Sequence, residues 1–212
     1  MAYSDFTLKD IKTRFEIEIE EEQTLFADTS VNVVPDFLNE LLRNWVPLAH
    51  AIGTEKARSE FIIAPILATI KQIQTQRISL FSGVSLNVDP EQGLNGVCDF
   101  ILSQSSEQLA LTAPLVMLVE AKNENMNAGI PQCMAEMIAA RLFNERENTM
   151  ISTIYGCVTT GTVWKFLDYR DKILRVDKED YYIREVDKLL GIFSFIMTEN
   201  SINKTLTDSG DG

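Results

Sequence analysis

The period of apolar and polar positions changes several times along the 212-residue chain, and each change marks an element. Asp5 to Arg14 reads as a short helix. Phe15-Glu16-Ile17-Glu18-Ile19-Glu20 then alternates apolar and acidic side chains, the period of a half-buried strand whose acidic face guards a sheet edge. From Asp36 to about Ala51, Phe37, Leu38, Leu41, Leu42, Trp45 and Leu48 form the apolar stripe of a helix. Gly53-Thr54 interrupts it, with Thr54 the expected N-cap of a longer helix running from Glu55 to about Gln74 and kinked at Pro65.

From Ile78 the period shortens. Ile78, Leu80, Val84, Leu86 and Val88 predict a strand that ends at the turn Asp89-Pro90-Glu91-Gln92-Gly93. The runs at 96–103 and 114–122 are apolar on both faces and so predict interior strands. Gly129 to Asn144 reads as a helix and Ile151 to Thr159 as a strand. Val163–Leu167 and Ile173–Val176 read as a hairpin around Asp168-Tyr169-Arg170-Asp171-Lys172, and a closing helix spans Val186 to Met197. The order predicts an α/β fold with a mixed sheet. Residues 1–198 form a single domain carrying a helical extension over 1–53, and the polar tail 199–212 is expected to be disordered.

Composition narrows the function classes. No apolar run reaches the length of a membrane span and no basic-then-apolar leader opens the chain, so the expected location is the cytoplasm, with no membrane partner. Cys98, Cys133 and Cys157 lie unclustered among apolar neighbours and read as reduced core cysteines. The single His50 leaves little scope for a histidine triad or a zinc site. The net charge of −12 argues against a protein that coats nucleic acid nonspecifically, and part of it is local: residues 1–50 hold ten acids and four bases. Lys56, Arg58, Lys71, Arg77, Lys122 and Arg141 are the basic residues available to line one face.

The candidate chemistry lies between Asn95 and Glu136. Asp99 interrupts the apolar run Gly96–Leu102, and the run Pro114–Val119 ends in Glu120-Ala121-Lys122. Charges at the ends of buried strands are costly unless compensated. Glu120 and Lys122 share one face of their strand because side chains alternate. If the Asp99 strand is its neighbour in the right register, two carboxylates meet, which suits magnesium or manganese. A strand-end ion pair with Asp99 as a cap explains the same residues. Glu60 reads equally as a site residue or as a helix glutamate paired with Lys56, and Gln132 follows on the next helix. Glu136 reads as structural, a partner for Lys122 or Arg141. Trp164, Phe166, Met134, Met137 and Met150 read as packing, and Thr159–Thr162 as a turn.

With these residues in place, the chain resembles the PD-(D/E)xK phosphodiesterase superfamily, the restriction-endonuclease-like fold, and within it uncharacterised bacterial, especially cyanobacterial, members. The resemblance covers about residues 55–160, in the order helix, three antiparallel strands, helix, strand. It implies that Asp99, Glu120 and Glu60 hold Mg2+ or Mn2+, that Lys122 activates or orients water, and that Gln132 assists. Cys98 stands where the superfamily often has proline. The implied activity is metal-dependent phosphodiester hydrolysis, a nuclease acting on DNA or RNA, and the implied assembly is a homodimer. Two other readings stand beside it: a non-catalytic binding or assembly module that keeps the nuclease fold, and a hydrolase of small phosphorylated substrates, which tolerates an acidic surface better.

Overall fold

Where the sequence is apolar on both faces, the chain forms the interior of a sheet. The computed structural model describes residues 1–74 and 77–208, with the backbone alone for 200–208. Its strands are β1 (Glu18–Glu20), β2 (Ser79–Ser85), β3 (Val97–Ser103), β4 (Leu115–Ala121), β5 (Ile154–Thr159), β6 (Val163–Arg170), β7 (Ile173–Val176) and β8 (Tyr181–Tyr182). They form one eight-stranded sheet in the order β1-β7-β6-β5-β4-β3-β2, with β8 alongside β6. The β4–β5 and β1–β7 pairs are parallel and the others antiparallel, so the sheet is mixed. All seven residues of β4 are buried, as its unbroken apolar run requires.

The helices are α1 (Leu8–Arg14), α2 (Asp36–Ile52), α3 (Glu55–Arg58), α4 (Ala64–Ile73), α5 (Met126–Arg146) and α6 (Val186–Asp208). They cover both faces of the sheet. Gly156 of β5 faces α5, since a Cβ there would lie 2.4 Å from Met137 Sδ and 2.8 Å from Cys133 Sγ. Its neighbour Cys157 pairs with Phe166 of β6, so Phe166 points to the opposite face, where it packs edge-on against Phe193 of α6 with centroids 5.5 Å apart. Trp164 and Phe166 are fully buried and belong to that aromatic layer, together with Phe26 and Tyr181. On the outer side, α2 leaves Phe37, Trp45, Leu48 and Ile52 exposed.

Several boundaries differ from the expected ones for identifiable reasons. Between α3 and α4 the helix passes through a π turn at Ser59–Ile63, where Ala64 N–H reaches back five residues to Ser59 O. The turn lies just before Pro65, which has no N–H to give and whose ring crowds the preceding turn, so the irregularity falls ahead of the proline. The hairpin is tighter than its sequence indicates. Strand β6 continues to Arg170, leaving a two-residue loop at Asp171 and Lys172 with φ of 50° and 61°, the conformation of a type I′ turn. Met150, expected in the core, is 76% exposed. Of the tail expected beyond Glu199, helix α6 takes in residues up to Asp208, and 209–212 lie outside the described residues. The N-cap at Thr54 is as expected: its Oγ1 accepts from Ala57 N–H at 3.1 Å, after Gly53 closes α2 with φ of 71°. Among the described residues no helix is long and apolar enough to cross a membrane.

Candidate active site

Strands β3 and β4 part company where their charged residues begin. The ladder runs to Phe100↔Val119 and stops, although β3 begins at Val97 and β4 continues to Ala121. Continued by one residue, that register sets Asp99 opposite Glu120 on the same face. In place of the missing ladder bond, Asp99 Oδ2 accepts from Ala121 N–H at 2.8 Å. On its other side β4 remains fully paired with β5, and Lys122 N–H continues the pattern to Thr159 O at 2.8 Å. Glu120 and Lys122 are therefore held firmly on the β5 side, while toward β3 the Asp99 side chain takes the place of the ladder.

Helix α5 closes the site from above. Asn125 caps it through Ala128 N–H at 3.3 Å, three residues beyond Lys122. Gly129 then lets its first turns lie against the strand, for a Cβ there would stand 2.7 Å from Val158 Cγ1 and 3.1 Å from Cγ and Cε of Lys122. This close approach carries Gln132 and Glu136 over the end of β4. Lys122 Nζ donates to Glu120 Oε1 in a tight ion pair and to Gln132 Oε1 at 3.1 Å, and Gln132 Nε2 donates to Glu136 Oε1 at 3.2 Å. Glu120 is 2% exposed and Glu136 fully buried, and Oε2 of each is without a hydrogen-bond partner.

Charge explains the missing partners. Burial pushes the Glu120 carboxyl up to about 7, helped by the negative charge of Asp99 and opposed by the bond to Lys122. Burial pushes Glu136 well above the usual carboxylate range, and the charge of Glu120 adds to it. Two buried carboxyls so placed take up a proton more readily than either would alone. Burial alone lowers the Lys122 ammonium, but its bond to Glu120 and the charges of Glu120, Glu55 and Asp99 outweigh that and leave it raised. The ammonium thus sits in the field of Glu120, Glu55 and Asp99. The neighbouring Cys98 thiol is also pushed up, by burial first and then by Glu136 and Glu120.

The structure brings together Asp99, Glu120, Lys122 and Gln132, and it leaves Glu60 out. Glu60 sits in the π turn, 53% exposed, and pairs with Lys56 at 2.9 Å. Among the described residues no three His, Cys, Asp or Glu side chains are arranged to hold a metal, so the expected Asp99–Glu120–Glu60 set is not assembled. The acid of this helix whose charge reaches Lys122 is Glu55, one turn earlier. Beside it Arg58 donates to Asn123 Oδ1 at 3.2 Å and Thr160 O at 3.1 Å, tying α3 to the end of β4. The other basic residues do not gather here: Lys71 bonds Gln108, and Arg141 is spent on the carbonyls of Ile151, Ser152 and Tyr169. Glu136 bonds neither Lys122 nor Arg141 but the Gln132 amide. His50 is an exposed helix residue whose Nε2 lies 2.8 Å from Thr162 Oγ1.

Glu136 is the site residue that the sequence reading passes over, although it carries a signal. Residues 133–140 are Cys, Met, Ala, Glu, Met, Ile, Ala and Ala, a run apolar all round with one acid in it. That is the pattern that singles out Asp99. Comparison with family models, with curated proteins and with solved structures yields no match to this chain.

Proposed function

We propose that the chain is a metal-dependent phosphodiester hydrolase acting on DNA or RNA, built on a restriction-endonuclease-like core. The order α3–α4, β2, β3, β4, α5, β5 supports the core reading: a helix, three antiparallel strands, a helix, and a strand parallel to the third. The observation that carries the functional reading is the surplus of buried carboxyl around one ammonium, where the β3–β4 ladder opens. Carboxyls gathered there around one ammonium are costly to desolvate, and a bound cation would compensate them.

The donor types fit a hard divalent cation such as Mg2+ or Mn2+. Asp99 keeps Oδ1 after giving Oδ2 to Ala121, and Glu120 has Oε2. With Glu60 turned away, water would complete the shell, as magnesium ordinarily allows. A bound cation would supply the missing positive charge and acidify a water into a nucleophile at neutral pH. The chain's own part is to hold that charge in place. Lys122, charged and anchored by Glu120 and Gln132, orients an attacking water or meets the charge that develops on the phosphate. Arg58, at the same strand end, offers the second positive group.

The test is cleavage of labelled single- and double-stranded DNA and RNA with Mg2+, Mn2+ or EDTA. Metal-dependent cleavage should be lost, by at least about a hundredfold, in Asp99→Ala and Lys122→Ala, with circular dichroism unchanged. Glu60→Ala should keep it. Absence of metal-dependent cleavage across the panel, together with no Mn2+ binding by calorimetry, ends the catalytic reading. The second reading, a binding or assembly module on the same fold, is favoured by the net charge of −12. It requires that calorimetric result together with a stable assembly.

A further inference from the structure

Glu136 stands where a fold would ordinarily place an apolar side chain. It is fully buried on the face of α5 turned to the sheet, beside Cys133 and Met137. Its hydrogen bond goes to a group of the candidate site, the Gln132 amide. A methionine would fill the same space without desolvating a carboxyl, which costs several kcal/mol where it is poorly compensated.

The geometry gives that acid a task. A glutamine amide has one accepting end and one donating end, and a half-turn about its last bond exchanges them. Gln132 meets Lys122 Nζ, which only donates, on one side at 3.1 Å, and Glu136 Oε1 on the other at 3.2 Å. Because Glu136 Oε1 accepts, Nε2 must face it and Oε1 is left for the lysine. Remove Glu136, and the amide is free to turn its NH2 toward the ammonium, donor against donor. Glu136 thereby braces one of the two supports of the ammonium, Gln132, the other being Glu120.

We infer that Glu136 is a positioning residue that fixes the Lys122 ammonium through Gln132. This rests on the proposed phosphodiesterase reading for its consequence in activity, and on hydrogen-bond geometry for its structural content. A purely structural role would tie activity to stability. A positioning role separates them.

Two variants of the full-length protein make the test. Glu136→Gln keeps an acceptor for Gln132, whereas Glu136→Met keeps the volume and removes that acceptor. Each is examined for kcat and KM with Mn2+, for Tm, and by the 1H–15N signals of lysine ammonium groups, with Lys122 assigned by its loss in Lys122→Arg. The expected result is a Glu136→Met protein with Tm equal to or above that of the wild type and kcat lowered tens of fold at similar KM. Its Lys122 signal should merge with those of exposed lysines. Glu136→Gln should stay within about threefold in kcat and keep the signal, by analogy with other buried bonds that a conservative partner restores. Gln132→Met should match Glu136→Met, and the double variant should add little. A Lys122 signal unchanged in Glu136→Met, or already indistinguishable from exposed lysines in the wild type, overturns the inference. So does equal damage from Gln and Met with a falling Tm. If the wild type cleaves nothing, the ammonium signals still decide the positioning role, and only the catalytic reading falls.

Discussion

The Glu120 carboxyl, pushed up to about 7 by burial and by Asp99, and the still higher Glu136 make the site a proton store. Between the ordinary carboxylate value of 4.5 and 7, the folded chain holds more protons on Glu120 than the unfolded chain does. Stability therefore falls as pH rises: the contribution is complete below the ordinary value and is lost as pH climbs through about 7. Glu136 extends the fall to higher pH. Urea denaturation in EDTA should show a lower midpoint at pH 8 than at pH 5, and Glu120→Gln should flatten the slope. A stability that rises over this range contradicts the charge surplus. Asp99, Glu120 and Lys122 were legible in the sequence because an ion at the end of an apolar run is conspicuous. Their meeting was not legible, since it depends on the register of β3 against β4. Glu136 needed one more step, because an acid on a helix is ordinarily solvated, and only its wholly apolar neighbours give it away.

At the scale of elements, periodicity located the strands and helices but not the irregularities that aim side chains. The π turn at Ser59–Ile63 takes an extra residue into one turn, so every face that follows is offset from the one a regular helix would present. Glu60 sits inside that offset, and no count of apolar spacing shows it. The hairpin was legible as two strands, while its turn was not, because Asp171-Lys172 lacks the glycine that usually marks a type I′ turn. Both residues pay for positive φ, so Lys172→Gly should stabilise the fold by about 0.5–1 kcal/mol in urea denaturation. The exposed Lys172–Glu16 pair at 3.6 Å that it removes offers little in return. Arg141 is the opposite case. Its guanidinium joins α5 to the carbonyls of Ile151, Ser152 and Tyr169, and it stacks on the Tyr169 ring at 5.5 Å. Arg141→Met should cost about 2–3 kcal/mol by the same measurement, with metal-dependent cleavage retained by the folded fraction, because the residue holds the far end of α5 rather than the site.

For the whole molecule the net charge of −12 sets the terms on which a cation is bound. An acidic surface gathers divalent ions diffusely, and salt screens that gathering over about 8 Å at physiological ionic strength. A specific centre must show two properties that a diffuse cloud does not: dependence on one carboxylate, and exchange of a cation for a proton. With Glu120 poised at about 7, the site is largely protonated at pH 6 and Mn2+ must displace that proton, whereas by pH 8 most of it has already gone. Mn2+ affinity should therefore rise up to about tenfold per pH unit below 7 and then level off. Calorimetry in two buffers of different ionisation enthalpy should find about one proton released per ion at pH 6 and much less at pH 8. Asp99→Ala should abolish the pH-dependent binding and leave the weak, salt-sensitive uptake that the remaining acids account for. If uptake is the same in Asp99→Ala and flat from pH 5.5 to 8, the ions belong to the surface, and the buried carboxyls belong to the fold alone.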